Sequence, residues 1–240
     1  MKLSLDVKTI DEAALAAWLE KNLAGFEGPL KARKFGDGQS NPTYLIEAAS
    51  GAYVLRRKPP GVLLKSAHAV DREFRVQKAL AGSGVPVADM YVLCEDDSVI
   101  GTAFYVMQRV EGRIFWNPAL PDVSREDRAK IYDEMNRALA ALTSLDPAKV
   151  GLSDFGRPGS YFERQFKRWT DQYRASETGA VPAMDELIDW LARNVPADDG
   201  RISIVHGDYR LDNMIFHPTE PRLLAVLDWE LSTLGHPFAD

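Results

Sequence analysis

The sequence predicts an α+β fold of two lobes, in which an antiparallel five-stranded sheet with one helix precedes a mainly helical lobe. Short runs rich in β-branched and aromatic residues, separated by turn residues, fill most of residues 30–57 and 89–110. Farther along, apolar residues recur with helical spacing in longer runs. We therefore divide the chain into lobes at residues 1–110 and 111–240, with a ligand-sized crevice expected where they meet.

The first half begins with a predicted helix and three strands. Residues 9–12, Thr-Ile-Asp-Glu, form a capping-box pattern with Thr9 as the cap, ahead of an amphipathic run that ends near Gly25. The runs KARKF, TYLIEA and AYVLRR follow, and they are broken by turn residues at 36–38 and 49–51. These features predict one helix and then three antiparallel strands.

A second helix and two further strands complete the predicted sheet lobe. Residues 67–81 are charged, have a helical period and are followed by Gly82 and Gly84. The runs DMYVLCE and VIGTAFYVMQRV are separated by the turn residues 96–98. One helix is thus inserted between the third and fourth strands.

The second half is predicted to be mostly helical. Ser124 caps a long helix that runs to about Leu145, and Ser160 caps another. An aromatic stripe lies on one face of that later helix, at four-, three- and four-residue spacing, and we expect it to pack into the core: Phe162, Phe166, Trp169 and Tyr173.

Composition and charge restrict the class of partner. The chain is 45% hydrophobic and 27% charged, and its 29 basic and 35 acidic residues give a net charge of −6, which argues against nucleic acid or an anionic membrane as a partner.

Cys94 is the only cysteine, so no intrachain disulfide can form, and we expect it to be a packed small side chain. The first residues lack an apolar signal core, and no stretch of about 18 apolar residues occurs. We therefore expect a cytoplasmic protein without membrane insertion.

One polar loop carries the chemistry that the sequence suggests. Residues 206–213, HGDYRLDN, stand between two apolar strand-like runs, and a further apolar run at 223–227 ends in Asp228. Phosphoryl transfer requires a group that orients the attacking hydroxyl and hard oxygen ligands for a divalent metal. Asp208, Asn213 and Asp228 supply these groups in the H-x-D-x-x-x-x-N order of a kinase catalytic loop, followed by a strand-borne Asp.

With these residues the chain resembles the aminoglycoside phosphotransferase and choline kinase family, whose loop reads H-G-D. The strings HGDYRLDN and LDWELSTLGHP resemble in particular the phosphotransferase-like domain that some proteins fuse to acyl-CoA dehydrogenases. The resemblance implies a protein-kinase-like fold and a kinase that moves the γ-phosphoryl group of ATP or GTP to a small-molecule hydroxyl, with Mg²⁺. Asp208 would be the catalytic base, Asn213 and Asp228 would hold the metal, and Arg210 would face the γ-phosphate.

The resemblance also assigns a nucleotide site. Residues 36–44 match the family's loop over the phosphates, and Arg56 occupies the third-strand position where most kinases place a Lys, with Glu73 on the next helix as its partner. Adenine would bind at the junction between the lobes. The implied nucleotide-binding residues are Gly38, Gln39, Ser40, Asn41, Arg56, Glu73, Gln108 through its C=O and Val110 through its N–H.

Several residues near the motif have simpler interpretations. We expect His206 to order the loop backbone, Asp212 to stabilise the loop, and His217 and His236 to be loop residues. The family continues into helices that shape the acceptor pocket after the segment at 235–240, so we expect the acceptor site of this chain to be incomplete.

Two other functions remain open from the sequence. A nucleotide-binding pseudokinase or scaffold is suggested by Arg56, although Asp208, Asn213 and Asp228 disfavour it. A metal-dependent hydrolase would use His206, Asp208, His217 and His236 as ligands. Neither the acceptor nor the oligomeric state can be read from the residues.

Overall fold

The computed structural model of the protein describes residues 10–36, 41–59 and 69–240. No helix in these ranges is both long and apolar enough to cross a bilayer. In chain order the elements are α1 (Glu12–Asn22), β1 (Leu30–Lys34), β2 (Thr43–Ala48), β3 (Gly51–Arg57), α2 (Val70–Leu80), β4 (Met90–Cys94), β5 (Phe104–Gln108), α3 (Arg125–Ser144), α4 (Tyr161–Ser176), α5 (Pro182–Asn194), β6 (Ser203–Val205), β7 (Met214–Phe216), β8 (Leu223–Val226) and β9 (Thr233–Gly235), with 3₁₀ turns at Leu211–Asn213 and Trp229–Leu231.

The first five strands form one sheet in the order β1-β2-β3-β5-β4. Every neighbouring pair is antiparallel. β5 begins at Phe104 and not near Val99 as predicted, because the chain turns there: Gly101 N–H donates to Asp97 O at 2.8 Å. The predicted α+β fold class, with a five-stranded antiparallel sheet before a helical lobe, is confirmed.

Helices cover both faces of this sheet, and the strand residues alternate between them. Along β5, Phe104 and Val106 pack with α1, whereas Tyr105 and Met107 pack with α2. This alternation follows from the two-residue period of a strand, whose successive side chains point to opposite faces. β5 is therefore apolar and buried from Phe104 to Met107.

The core of the second lobe forms around α3 and two small sheets. β6 pairs with β9, β7 pairs with β8, and both pairs are antiparallel. Ser124 caps α3 as predicted, because its side chain accepts from Asp127 N–H at 3.0 Å. The sequence indicated strands near residues 204–205, 214–216 and 223–227, but β9 was not predicted.

The N-terminal cap of α1 differs from the prediction. Thr9 lies outside the described residues, and Asp11 caps the helix by accepting from Ala14 N–H at 2.9 Å. The carboxylate of Glu12 accepts from Ala32 N–H on β1 at 2.9 Å, and this bond ties the helix to the edge of the sheet. The helix ends at Asn22, short of Gly25.

Two expectations for α4 are wrong. Ser160 has a left-handed φ of 45°, and its side chain does not cap the helix. The aromatic stripe is not core either, since no residue of α4 is buried and Trp169 is 61% exposed. The stripe instead lines an apolar groove of about 390 Å³ between α4 and α5. Helical spacing shows which side chains share a face, but it does not show what covers that face.

Candidate active site

The loop between β6 and β7 is anchored by a buried histidine. His206 is fully buried, its Nε2 lies 2.8 Å from Leu227 O, and its Nδ1 accepts from Asp208 N–H at 3.2 Å. The imidazole proton therefore belongs on Nε2. Burial lowers the pKa of His206 and favours the neutral ring that this pattern requires. These are the bonds of a residue that orders the loop, as the sequence indicated.

The next residue and a distant carboxylate hold the loop backbone. Gly207 has a φ of +87°, and a Cβ there would lie 2.9 Å from Leu231 O, so only glycine fits without strain. Asp240 accepts from His206 N–H at 2.6 Å and from Gly207 N–H at 2.7 Å. Sequence reasoning missed this role of Asp240, because no local pattern connects it with a loop more than thirty positions earlier.

Asp208 and Asn213 are in direct contact. Asn213 Nδ2 donates to Asp208 Oδ2 at 2.8 Å and to Asp208 O at 3.0 Å. The 3₁₀ turn at Leu211–Asn213 brings the two side chains together across the loop. Because the amide nitrogen is engaged, the amide oxygen of Asn213 is the atom available to ligate a cation.

Asp228 follows β8 and approaches the loop of residues 206–213 from the end of that strand. Leu227 N–H donates to Asn213 O at 2.8 Å and joins the end of that strand to the loop. Asp228 then adopts a left-handed conformation with φ 64° and ψ 58°, which Asp tolerates better than most residues. The structure thus brings together the three residues that the sequence singled out.

An arginine connects this group to the sheet lobe. Arg56 Nε lies 3.1 Å from Glu73 Oε2, and its Nη2 lies 2.5 Å from Asp228 Oδ1 and 3.4 Å from Glu230 Oε2. The Arg56 side chain is only 11% exposed. The predicted reach between Arg56 and Glu73 is therefore present, while the contacts with Asp228 and Glu230 were not foreseen.

Burial and neighbouring charges shift the pKa values of Glu73 and Arg56 in opposite directions. Burial raises the pKa of Glu73 to about 7, and the neighbouring Arg56 opposes the rise. Burial lowers the pKa of Arg56, but Glu73, Tyr105 and Asp228 together more than offset this, so the guanidinium stays charged. Asp228 and Glu230 both face this one guanidinium, through Arg56 Nη2.

Arg210 and Asp212 form a pair within the loop. Nε and Nη2 of Arg210 both donate to the carboxylate of Asp212, and these bonds lower the pKa of that carboxyl. The loop-stabilising role expected of Asp212 agrees with this contact. Arg210 is exposed, and its predicted contact with a γ-phosphate would require the guanidinium to leave Asp212.

The remaining predicted nucleotide residues are only partly described. Gly38, Gln39 and Ser40 lie outside the described residues, while Asn41 is buried just before β2. Gln108 ends β5, and its side chain accepts from Asp89 N–H at 3.2 Å. Val110 follows two residues later, where the chain leaves the sheet.

The junction between the predicted lobes is close-packed. A Cβ on Gly112 would lie 2.2 Å from Phe216 O, so a larger residue would displace backbone. Arg113 N–H donates to Phe216 O at 2.7 Å, and Phe216 N–H donates back to Arg113 O at 2.9 Å.

The histidines are not arranged as a metal centre. His217 Nδ1 accepts from backbone N–H groups of its own turn, and His236 Nε2 lies 3.3 Å from Asp199. In the three described ranges, no three His, Cys, Asp or Glu side chains are placed to hold a metal ion. The hydrolase hypothesis built on His206, Asp208, His217 and His236 therefore lacks its ligand cluster.

Comparison with known sequences identifies relatives of this chain. The sequence profile of the phosphotransferase enzyme family matches residues 31–240. Mouse acyl-CoA dehydrogenase family member 10 is 52% identical over 227 residues, which cover 92% of this chain and 21% of that protein. Chicken acyl-CoA dehydrogenase family member 11 is 50% identical over 234 residues, covering 96% of this chain and 30% of that protein. The chain thus spans less than a third of these relatives.

Comparison with solved structures agrees with the fold. A candidate aminoglycoside phosphotransferase of Ralstonia eutropha superposes with a TM-score of 0.87 at 55% identity, covering 95% of this chain and 67% of that one. An aminoglycoside phosphotransferase bound to ADP and hygromycin B superposes with a TM-score of 0.68 at 15% identity, covering 95% and 73% of the two chains. The second likeness bears on the fold alone.

Proposed function

This chain belongs to the phosphotransferase enzyme family, and from that premise we propose that it transfers the γ-phosphoryl group of ATP or GTP to a hydroxyl of a small molecule. The observation that carries the proposal is the meeting of Asp208, Asn213 and Asp228 beside the Arg56–Glu73 pair. This arrangement combines a proton acceptor, oxygen ligands and a cation for phosphate oxygens in one place.

In the proposed reaction, Asp208 orients the acceptor hydroxyl and takes its proton as the oxygen attacks the γ-phosphorus. The bond from that phosphorus to the β,γ-bridging oxygen breaks, and the electron pair leaves with the nucleoside diphosphate. Asn213 Nδ2, 2.8 Å from Asp208 Oδ2, holds the carboxylate so that its other oxygen can face the hydroxyl.

The donor set suits Mg²⁺. An amide oxygen from Asn213 and a carboxylate from Asp228 are hard ligands, and protein sites for Mg²⁺ commonly combine one or two such groups with substrate phosphates. When bound, the ion would neutralise charge on the phosphates. Asp228 already accepts from Arg56, but a carboxylate has lone pairs for more than one partner.

Arg56 would bind phosphate oxygens in the place of the usual Lys. Its Nε faces Glu73 while its Nη2 faces Asp228, so nucleotide entry requires Nη2 to exchange a carboxylate for phosphate. A guanidinium can make this exchange, because it presents several donors in a fixed fork. Arg210, if it leaves Asp212, would add a second cation near the γ-phosphate.

We propose a cytoplasmic enzyme whose acceptor is a small molecule and not nucleic acid. The net charge of −6 and the single, buried Cys94 support this assignment. The relatives of this chain are acyl-CoA dehydrogenase family members, and this relationship favours a hydroxylated acyl or lipid-related acceptor over an aminoglycoside.

The test is a screen for nucleoside diphosphate formation over hydroxylated metabolites, with Asp208→Asn as the matched control. We expect formation to require both an acceptor and Mg²⁺, and to be lost in Asp208→Asn. A wild-type protein that binds no Mg-nucleotide would exclude the proposal.

A nucleotide-binding domain without transfer activity is the second candidate. The contact between Arg56 and Asp228 favours it, because the guanidinium occupies one oxygen of a proposed metal ligand. The same screen separates the candidates: a pseudokinase would bind Mg-nucleotide tightly and turn over no acceptor, and its behaviour would not change in Asp208→Asn.

A further inference from the structure

Helix α2 belongs to two cores at once. Val70 and Phe74 pack against the five-stranded sheet, whereas Val76 and Leu80 pack into the core formed around α3. The same helix carries Glu73, which is the partner of Arg56. The position of α2 relative to the second lobe therefore determines where the Glu73 carboxylate lies relative to Arg56.

Arg72 links α2 to two backbone segments of the second lobe. Its Nη2 donates to Phe155 O at 2.6 Å and lies 3.4 Å from Ser232 O, while the guanidinium carbon lies 4.1 Å from the centre of the Phe155 ring. Hydrogen bonds from a charged donor are stronger than those between neutral groups. One side chain thus joins α2 to two separate backbone segments of the second lobe.

Both acceptors of Arg72 are fixed to their surroundings. Phe155 is fully buried in the second core, and its N–H donates to Leu152 O at 3.0 Å. Ser232 is buried, and its Oγ donates to Trp229 O at 2.5 Å. Ser232 also follows the 3₁₀ turn that begins directly after Asp228.

We propose that Arg72 is a positioning residue that holds α2 and residues 228–232 at one separation, so that Glu73 and Asp228 reach Arg56 together. Adjacent helix residues point about 100° apart, so Glu73 turns towards Arg56 while Arg72 turns towards the second lobe. The site is then assembled before any ligand arrives. The inference rests on the proposed function where it concerns nucleotide affinity, but the tether itself does not.

Arg75 provides a matched control on the same helix. It donates to Gly151 O at 2.9 Å and to Asp154 Oδ2 at 3.2 Å, so it ties α2 to the same loop without reaching Ser232. Arg75 and Asp154 are 44% and 71% exposed, and exposed pairs contribute little. The two arginines have the same charge and lie on the same helix, but only Arg72 reaches Ser232.

The first measurement is hydrogen exchange of the nucleotide-free protein. We expect Arg72→Ala to accelerate exchange in α2 and in residues 229–232 together, whereas Arg75→Ala leaves residues 229–232 unchanged. Arg72→Lys keeps a cation over the Phe155 ring but cannot serve both carbonyls equally, so it should fall between Arg72→Ala and wild type. This measurement judges the tether even if the protein binds no nucleotide.

The second measurement is a double-mutant cycle on the Kd for Mg-nucleotide. We expect Arg72→Ala to weaken binding about tenfold or more and to add little to Glu73→Gln, because both changes disturb the same arrangement. Arg75→Ala should weaken binding less than about threefold. Additive effects of Arg72→Ala and Glu73→Gln, or unchanged exchange in Arg72→Ala, would overturn the proposal. A wild type that fails to bind nucleotide while exchange responds as expected would contradict the proposed function and leave the tether supported.

Discussion

Asp208 and Asp228 have different surroundings, which indicates different roles at the residue scale. The carboxylate of Asp208 accepts from the amide of Asn213, whereas that of Asp228 faces the guanidinium of Arg56. In the proposed mechanism, Asp208 is the proton acceptor and Asp228 is a metal ligand. Isosteric substitution should therefore have different effects at the two positions.

We expect Asp208→Asn to lower kcat by about 10²-fold to 10⁴-fold with little change in the Kd for Mg-nucleotide, because the proton acceptor is lost and the ligands remain. Asp228→Asn should weaken Mg-nucleotide binding itself. Calorimetry with and without Mg²⁺, combined with turnover assays, checks the contrast. The role assignment is wrong if Asp208→Asn abolishes binding while Asp228→Asn alters neither binding nor turnover.

His206 should make stability depend on pH. Its pKa is lowered by burial, so the unfolded chain binds a proton more readily than the folded one near pH 6.5. The contribution of neutral His206 to the free energy of unfolding is then fully present above about pH 6.5. It is lost as the pH falls through and below that value. We expect the free energy of unfolding of wild type to fall over this range more steeply than that of His206→Gln. Urea titrations at several pH values measure this difference, and equal slopes would contradict it.

At the scale of elements, the helices of the second lobe differ in what covers them. Leu142 on α3 is fully buried in the core, while Trp169 on α4 remains 61% exposed beside the groove shared with α5. Hydrophobic side chains contribute to stability in proportion to the area removed from water. The aromatic residue should therefore matter less to folding than the aliphatic one.

Leu142→Ala should destabilise the protein by about 2 to 5 kcal/mol, because it leaves a cavity in a packed core. Trp169→Ser should lower the free energy of unfolding by only about 1 to 2 kcal/mol, because 61% of this residue is already exposed. Chemical denaturation of both variants provides the measurement. A large loss in Trp169→Ser would show that the stripe is covered in solution.

At the scale of the whole molecule, the two lobes share structural elements. α2 packs into both cores, and residues 113 and 216 exchange backbone hydrogen bonds at the junction. Two regions joined by common elements cannot readily lose their structure one at a time. We therefore expect the lobes to unfold together.

Two variants that keep only Trp18 or only Trp229 would report on the separate lobes, since Trp18 packs on Phe104 and Trp229 is buried in the second core. Their fluorescence should change at the same urea concentration, which should also be the midpoint seen by far-ultraviolet circular dichroism. The control is the wild type measured by circular dichroism. Separate midpoints would show that the lobes are thermodynamically independent.

Much of this architecture was determined by local sequence. Strand alternation, turn residues and the Ser124 cap depend on neighbours within a few positions, so the five strands, α2 and α3 could be predicted to within several residues. The order of Asp208, Asn213 and Asp228 around two strand ends likewise predicted that a second carboxylate would lie beside the loop, where Leu227 N–H donates to Asn213 O. Regular backbone periods place nearby residues relative to one another without knowledge of the rest of the molecule.

Only the tertiary structure decided the contacts between distant parts of the chain. Arg56 reaches Asp228 and Glu230, Asp240 binds the backbone of residues 206–207, and Arg72 joins α2 to Ser232. The exposure of the α4 stripe was settled in the same way, by which surfaces pack upon it. Such contacts join residues more than thirty positions apart, and their partners are chosen by the packing of whole elements, which no local pattern encodes.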